Sequence, residues 1–239
     1  MFDHVTLRVS DREESERFYA TVLRTIAIEQ TYSGDDLAEW NDFSLAQADE
    51  EHPPTRRLHV AFAAPSRELV DEFWRVGTGA GYRDDGAPAP RPQYSPDYYG
   101  AFLLDPDGNS AEAVHHSVER EGIDHLWIGV ADVEASKRFY ETIAPFGGFE
   151  LRRERAGFAH FRGRGGSFSV VEREPAEHVH VAFPASDNAT VDAFHRAAIE
   201  AGYRDNGAPG ERAVYHPGYY GAFVVDPDGN NVEVVNHNR

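Results

Sequence analysis

The sequence predicts an α+β protein built from four strand-helix-strand-strand-strand modules. Residues 59–116 and 180–237 are identical at 33 of 58 aligned positions, at a constant offset of 121 residues, so the chain contains a duplication. Within each half, a strand-type alternation is followed by helix-type apolar spacing, and this order occurs twice. We therefore predict two domains, residues 1–118 and 119–239, each with two modules, joined by the charged segment 117–122.

The first module begins with a strand over residues 2–9, because apolar and polar residues alternate there. Ser10 and Glu13 form an S-x-x-E capping box, which predicts that a helix begins after Ser10. The apolar residues of this helix at core spacing are Phe18, Tyr19, Val22 and Leu23. Three extended segments are predicted to follow, over residues 27–32, 37–41 and 43–47.

The second module restarts the pattern with the strand H-V-A-F at residues 59–62. Ser66 is the predicted N-cap of its helix, and Ala80-Gly81 is the predicted stop. A long hairpin completes the module and turns at D-P-D-G-N, residues 105–109, where proline fixes φ and glycine and asparagine accept a positive φ. Residues 123–239 repeat both modules.

Composition excludes several function classes. The chain has no cysteine, so disulfides, thiol nucleophiles and cysteine zinc sites are excluded, and a metal would need histidine and carboxylate ligands. The net charge of -18 argues against nucleic-acid and anionic-membrane partners. No apolar run reaches the length of a membrane span, and the N-terminus lacks a signal-peptide pattern, so we expect a cytoplasmic protein.

Each half places two histidines and one glutamate on strands that are otherwise apolar. His4 and His59 lie in the first strands of their modules, and Glu112 lies in a last strand. The second half repeats the spacings of 55 and 53 residues with His125, His180 and Glu233. Two imidazoles and one carboxylate are a set that binds a divalent metal and leaves positions open for substrate.

Two interpretations of these histidines stay open. They are metal ligands, or they are partly buried residues with ordinary hydrogen bonds, since equal spacing follows from duplication alone. Glu112 and Glu233 favour the metal, because a carboxylate in an apolar strand is costly unless a cation meets it.

Three motifs resemble the vicinal oxygen chelate superfamily, which contains glyoxalases, bleomycin-resistance proteins and extradiol dioxygenases. They are the D-H strand leading to a helix with F-Y, the H-V-A-F strand, and A-F-x-x-D-P-D-G-N-x-x-E. The resemblance covers nearly the whole chain. It implies four βαβββ modules paired into two cupped mixed β-sheets, and a divalent ion (Fe, Mn, Ni or Zn) in each cup. It carries the ligands over to His4, His59 and Glu112, and to His125, His180 and Glu233. The sequence leaves open whether the modules pair within a half or between halves, which would change the strands that share a cup.

The resemblance implies a metal-dependent enzyme that chelates vicinal oxygens of a small substrate and stabilises an oxyanion or enolate, as a lyase, isomerase or dioxygenase. Glyoxalase I has a fourth, acidic ligand, for which Glu172 is the only near candidate. Extradiol dioxygenases have a tyrosine where this chain has Phe102 and Phe223. Fosfomycin-type transferases need a phosphonate cradle that is not found. The alternative is a metal-free or inactive binding module of the bleomycin-resistance type.

Further residues are predicted to contribute to the pockets. Tyr99, Tyr220 and His216 are candidate catalytic groups, and His216 has Ser95 as its counterpart in the first half. Tyr98 and Tyr219 could also donate a hydroxyl, although packing explains at least one tyrosine of each pair. Candidate substrate-binding residues are Arg91, Arg212, Tyr94 and Tyr215, although surface salt bridging is an alternative for the arginines. Since the two halves can bury each other's exposed faces, we expect a monomer with an internal pseudo-dimer, or a weak homodimer.

Overall fold

The predicted order of elements is found four times along the chain. The computed structural model describes residues 1–117 and 120–238. The first module consists of β1 (His4–Val9), α1 (Arg12–Leu23), β2 (Tyr32–Ser33), β3 (Leu37–Trp40) and β4 (Phe43–Gln47). The second consists of β5 (His59–Ala63), α2 (Arg67–Gly79), β6 (Arg83–Pro90), β7 (Tyr99–Leu104) and β8 (Ser110–His115).

The second half repeats this order. Its third module consists of β9 (Ile123–Val130), α3 (Val133–Gly147), β10 (Phe149–Arg155), β11 (Phe158–Gly163) and β12 (Gly166–Glu172). The fourth consists of β13 (His180–Pro184), α4 (Asn188–Glu200), β14 (Arg204–Glu211), β15 (Tyr220–Val225) and β16 (Asn231–Asn236). None of the helices in the described parts of the chain is long and apolar enough to cross a membrane.

The strands form two mixed eight-stranded sheets, which confirms the predicted α+β class. Their orders are β14-β15-β16-β13-β1-β4-β3-β2 and β10-β11-β12-β9-β5-β8-β7-β6. By compactness the chain divides into a first unit, residues 6–127, and a second unit, residues 1–5 with 128–239. These units cut across the sequence repeat, because β1 begins in the second unit and β9 begins in the first. The domain division at residue 118 stays a prediction drawn from the repeat.

Two local predictions in the first module are wrong. The N-cap of α1 is Asp11, whose carboxylate accepts the Glu14 amide at 2.9 Å. Ser10 is not the cap, because its amide and hydroxyl donate to Asp107. The segment 27–32 is not a strand, since a 3-10 turn at Arg24–Ile26 extends α1 and Ala27 leaves it in the left-handed region at φ 63°. The N-cap Ser66 and the stop of α2 at Ala80 are as predicted.

The D-P-D-G-N turn joins β7 to β8 and is organised by one buried carboxylate. Gly108 has the expected positive φ of 85°, whereas Asn109 acts through its side chain. Asp105 Oδ1 accepts the amides of Asp107 and Asn109, and Oδ2 accepts the Tyr19 hydroxyl at 3.0 Å and the Asn109 side-chain amide at 3.0 Å. The turn therefore ties the sheet to α1.

Burial raises the pKa of Asp105 from its ordinary 3.8 to about 6, against the hydrogen bonds from Asn109 and Tyr19. Between pH 4 and 6 the folded state keeps a proton on Asp105 that the unfolded chain has lost. The stability that Asp105 contributes is therefore present below pH 4 and is lost as the pH rises through 6. We expect wild type to lose about 3 kcal/mol relative to Asp105→Asn between pH 4 and 7. Urea unfolding of both proteins measures this gap, and a gap independent of pH would contradict it.

Candidate metal centres

In the first unit, three neighbouring strands bring two imidazoles and a carboxylate to one face of the sheet. Strand β5 pairs with β8 and with β9, and its Ala61 lies opposite both Glu112 and His125. His59 lies two residues before Ala61, so all three polar side chains point the same way. His59 Nε2 is 3.0 Å and His125 Nε2 is 3.6 Å from Glu112 Oε2.

The second unit repeats this geometry with other parts of the chain. Ala182 of β13 lies opposite Glu233 of β16, and the Asp3 amide donates to the Ala182 carbonyl, which places the start of β1 beside β13. His180 Nε2 is 3.0 Å and His4 Nε2 is 3.6 Å from Glu233 Oε2. In each unit the three candidate ligand atoms lie within 4.8 Å of one another.

All six predicted ligand residues therefore gather in two groups of three, and each group combines residues from both sequence halves. His4 lies with His180 and Glu233, and His125 lies with His59 and Glu112. The physical reason is strand pairing: β5 is hydrogen-bonded to β9 rather than to β1, so the first strand of each half joins the other half's histidine and glutamate. Metal binding by these residues stays a prediction.

Hydrogen bonds on the far side of His59 fix which of its nitrogens faces Glu112. Ser110 Oγ donates to Asp85 Oδ2 at 2.7 Å, so its oxygen accepts from His59 Nδ1, 3.2 Å away. A neutral His59 then presents the Nε2 lone pair to the Glu112 carboxylate.

A carboxylate fixes the first-strand histidine of each group in the same way. His125 Nδ1 donates to Asp124 Oδ1 and His4 Nδ1 donates to Asp3 Oδ1, both at 2.8 Å. A neutral ring in this orientation turns an unprotonated Nε2 toward its glutamate, as metal-bound histidines do. In the first unit three hydrogen-bond acceptors thus converge: two imidazole nitrogens and Glu112 Oε2.

The second oxygen of each glutamate is held by a buried tyrosine. The Tyr98 hydroxyl donates to Glu112 Oε1 at 2.7 Å, and the Tyr219 hydroxyl donates to Glu233 Oε1 at 2.6 Å. Burial and the Glu112 charge raise the pKa of Tyr98, which keeps this phenol a donor.

Burial makes a negative charge on Glu112 unfavourable. Burial raises the pKa of Glu112 to about 7, against the attraction of His125 and the Tyr98 hydrogen bond. Burial also acts to raise the pKa of Asp124, but hydrogen bonds from His116 and His125 outweigh it and hold that pKa below its usual range. Asp124 is thus the ionised partner, whereas Glu112 favours either a bound proton or a nearby cation.

The residues present fit a divalent metal ion. Ligand bonds of about 2.1 Å at angles of 90–109° place neighbouring ligand atoms about 3.0–3.4 Å apart. The observed nitrogen–oxygen separations of 3.0 and 3.6 Å in each group are close to this range. A shared cation would remove the repulsion between the acceptors, as would a proton on Glu112, whose pKa is raised to about 7.

The Tyr99 and Tyr220 hydroxyls contact helices rather than the His-His-Glu groups, and their catalytic role stays a prediction. The Tyr99 hydroxyl donates to Asp71 on α2 and the Tyr220 hydroxyl donates to Asp192 on α4, each at 2.8 Å. The preceding residues, Tyr98 and Tyr219, contact the glutamates instead. Adjacent residues of a strand face opposite sides of the sheet. The sequence therefore indicated that one tyrosine of each adjacent pair faces the glutamate, but not which one.

The predicted substrate arginines lie over aromatic rings next to the candidate ligands. The Arg91 guanidinium is 5.2 Å from the Phe102 ring centre, and that ring is 5.8 Å from the His59 ring. Arg212 is 5.6 Å from the Phe223 ring centre. Among the described residues, the buried Arg91 Nε has no hydrogen-bond partner. This placement suits an anionic substrate group, and the role stays a proposal.

The remaining predicted residues occupy the margins of the sites. Tyr94 packs 5.1 Å from Tyr98 and is 45 % exposed, and Tyr215 packs 4.9 Å from Tyr219 and is 63 % exposed. His216 contacts His237 and not a candidate ligand.

Gly100 lies against the Glu112 carboxylate. A Cβ at residue 100 would overlap Glu112 Oε1 and lie 3.2 Å from Tyr98 Cε1. We expect Gly100→Ala to displace the carboxylate and to abolish metal binding in the first unit only, halving the metal content measured by mass spectrometry. Gly79→Ala is the matched control, because nothing lies within 4 Å of its Cβ position and alanine suits a helix. Full metal content in Gly100→Ala would contradict the assignment.

The repeated β-α-β-β-β modules and two His-His-Glu groups define a tandem α+β protein with a candidate metal centre in each unit. The family model described as Glyoxalase/Bleomycin resistance protein/Dioxygenase superfamily matches residues 1–113 and 122–234. The chain belongs to this superfamily, which confirms the resemblance seen in its sequence.

Solved structures share this fold over the whole chain. Glyoxalase I from Zea mays matches at TM-score 0.71 and 18% identity, covering 99% of this chain and 92% of its own. A single-residue variant of that enzyme matches at 0.72 and 19%, with coverage of 99% and 92%. A candidate dioxygenase from Bacillus subtilis matches at 0.67 and 13%, covering 100% and 85%. No protein with a curated description matches the sequence.

Proposed function

We propose that this protein is a metal-dependent enzyme of the glyoxalase or dioxygenase type. It binds a divalent ion (Fe, Mn, Ni or Zn) at each His-His-Glu group and acts on a small molecule with two adjacent oxygens. The observation that carries the proposal is the convergence of three acceptors, His59 Nε2, His125 Nε2 and Glu112 Oε2, at a buried point. A metal-free binding module would instead need a proton on Glu112 or on an imidazole at this point.

The chain's own residues prepare the site. When bound, a divalent ion supplies Lewis acidity and open positions for substrate oxygens. Asp124 and Asp3 orient the first-strand histidines, and Tyr98 and Tyr219 hold the glutamates so that one oxygen faces the imidazoles. We propose that Arg91 and Arg212 attract an anionic group of the substrate.

The number of protein ligands favours the dioxygenase type over a strict glyoxalase. Glu172, the only near candidate for a fourth ligand, is exposed at the end of β12 and belongs to neither group. Two histidines and one carboxylate with open positions are typical of non-haem ferrous oxygenases. An extradiol dioxygenase is disfavoured, because Phe102 and Phe223 stand where those enzymes have a tyrosine. Phenylalanine cannot donate a proton to the substrate.

The test is metal analysis followed by a substrate screen. Metal-free protein is loaded with each of the four ions, and bound metal is counted. Oxygen uptake with aromatic vicinal diols and isomerisation of hemithioacetals are then measured for each form. We expect two ions per chain and activity in one assay that requires the metal.

The double variant Glu112→Gln with Glu233→Gln is expected to lose both the ions and the activity. Glu200→Gln, the same change on an exposed face of α4, is the control. Protein that binds small vicinal diols but no ion would support the metal-free module, and protein that binds neither would reject both functions. We also propose a cytoplasmic, monomeric enzyme, which fractionation and light scattering test.

A further inference from the structure

A pair of histidines lies behind the candidate metal centre of the second unit. His216 Nε2 is 2.8 Å from His237 Nδ1, and the rings stack at 5.1 Å. His237 Nε2 is 2.9 Å from Asp3 Oδ2, and Asp3 Oδ1 accepts from His4 Nδ1. The pair is therefore two hydrogen bonds away from a candidate ligand.

The protons in this series of hydrogen bonds can be counted from its two ends, the Pro217 carbonyl and Asp3. His216 Nδ1 is 2.8 Å from the Pro217 carbonyl, which only accepts, so Nδ1 carries a proton. His237 Nε2 faces a carboxylate and carries a proton as well. The bond between His216 Nε2 and His237 Nδ1 needs a third proton. Three protons on two imidazoles give the pair one positive charge.

In the first unit, Asp124 is the equivalent of Asp3, and its negative charge is balanced by different groups. His116 Nε2 is 2.7 Å from Asp124, but Ser95 stands where the second unit has His216. Arg120 Nη1 lies 3.3 Å from Asp124 Oδ2 and supplies a charge that does not titrate. In the first unit, the carboxylate Asp124 is therefore paired with a permanent cation. In the second unit, its equivalent Asp3 is paired with a proton that the histidine pair can release.

Within residues 1–117 and 120–238, few other charged or titratable groups lie around the pair. The Tyr219 ring lies 5.4 Å from His216 and 5.2 Å from His237, and burial together with the Glu233 charge raises the pKa of this phenol, so it stays neutral. Glu211 accepts the Gly218 amide beside the pair. Asp3 is the carboxylate in direct contact.

We propose that His216 and His237 share one proton and form a cationic positioning pair for Asp3 and His4, and that the pair releases this proton to solvent when a divalent cation binds at His4, His180 and Glu233. The release rests on the proposed function, whereas the shared proton does not. A cation at His4 repels the charge beyond Asp3, and linkage requires that bound metal lower the proton occupancy of the pair.

The shared proton is tested in metal-free protein by ¹⁵N–¹H NMR of the imidazole rings at pH 7. We expect three ring protons over His216 and His237, and a singly protonated His237 in His216→Ser, which copies the first unit. Two neutral rings with one proton each in wild type would overturn the proposal.

Proton release is tested by calorimetric titration with Zn²⁺ in buffers of different ionisation enthalpy. His216→Ser is expected to release up to one proton fewer per chain than wild type, and Ser95→Ala, the matched change, to release the same number. Equal release from wild type and His216→Ser would overturn the linkage. Failure to bind Zn²⁺ while NMR shows the shared proton would reject the proposed function and leave the pair standing.

Discussion

Combining His4→Ala with Glu233→Gln is expected to leave one metal ion per chain, whereas combining His4→Ala with Glu112→Gln is expected to leave none. His4 and Glu233 belong to one group, and Glu112 belongs to the other. Loss of a direct ligand is expected to weaken binding by more than about 100-fold, since even outer hydrogen-bond partners cost 10–100-fold. Metal counting after gel filtration measures both variants.

The mirror pair uses His125 in place of His4. His125→Ala with Glu112→Gln should retain one ion, and His125→Ala with Glu233→Gln should retain none. Circular dichroism checks that each variant is folded. The reverse pattern of stoichiometry would show that the ligands group within sequence halves, and unchanged stoichiometry in all four variants would remove these residues from any metal site.

Asp105→Ala is expected to destabilise the first unit by about 3 kcal/mol at pH 7. The substitution leaves the buried Tyr19 hydroxyl and the Asn109 side chain without their acceptor, and each orphaned buried donor costs about 1–3 kcal/mol. All three tryptophans of the chain lie in residues 6–127, so urea unfolding followed by tryptophan fluorescence reports on this unit.

Two variants calibrate the Asp105 result. Tyr19→Phe removes one donor and keeps the ring, so it should cost about 1 kcal/mol. Asp36→Ala, at an exposed position, should stay within about 0.5 kcal/mol of wild type. A cost for Asp105→Ala no larger than that for Asp36→Ala would show that the turn does not anchor α1.

Local sequence chemistry predicted much of the fold, because it depends on near neighbours. Period-two alternation identified β1, the restart of the module pattern identified β5, and Ser66 capped α2 as expected. The N-cap of α1 was missed by one residue, because Ser10 is drawn to Asp107 on a turn 97 residues away. A capping motif cannot reveal such a distant competitor.

The sequence by itself determined which residue types stand on the polar faces of the strands: two imidazoles and a carboxylate in each half. Only the tertiary structure decided which of them meet. Strand β9 lies beside β5, so His125 joins His59 and Glu112, and Tyr98 rather than Tyr99 reaches the carboxylate. The physical reason is that alternation along a strand fixes the face of a side chain, whereas its neighbours across the sheet depend on backbone pairing between segments far apart in the chain.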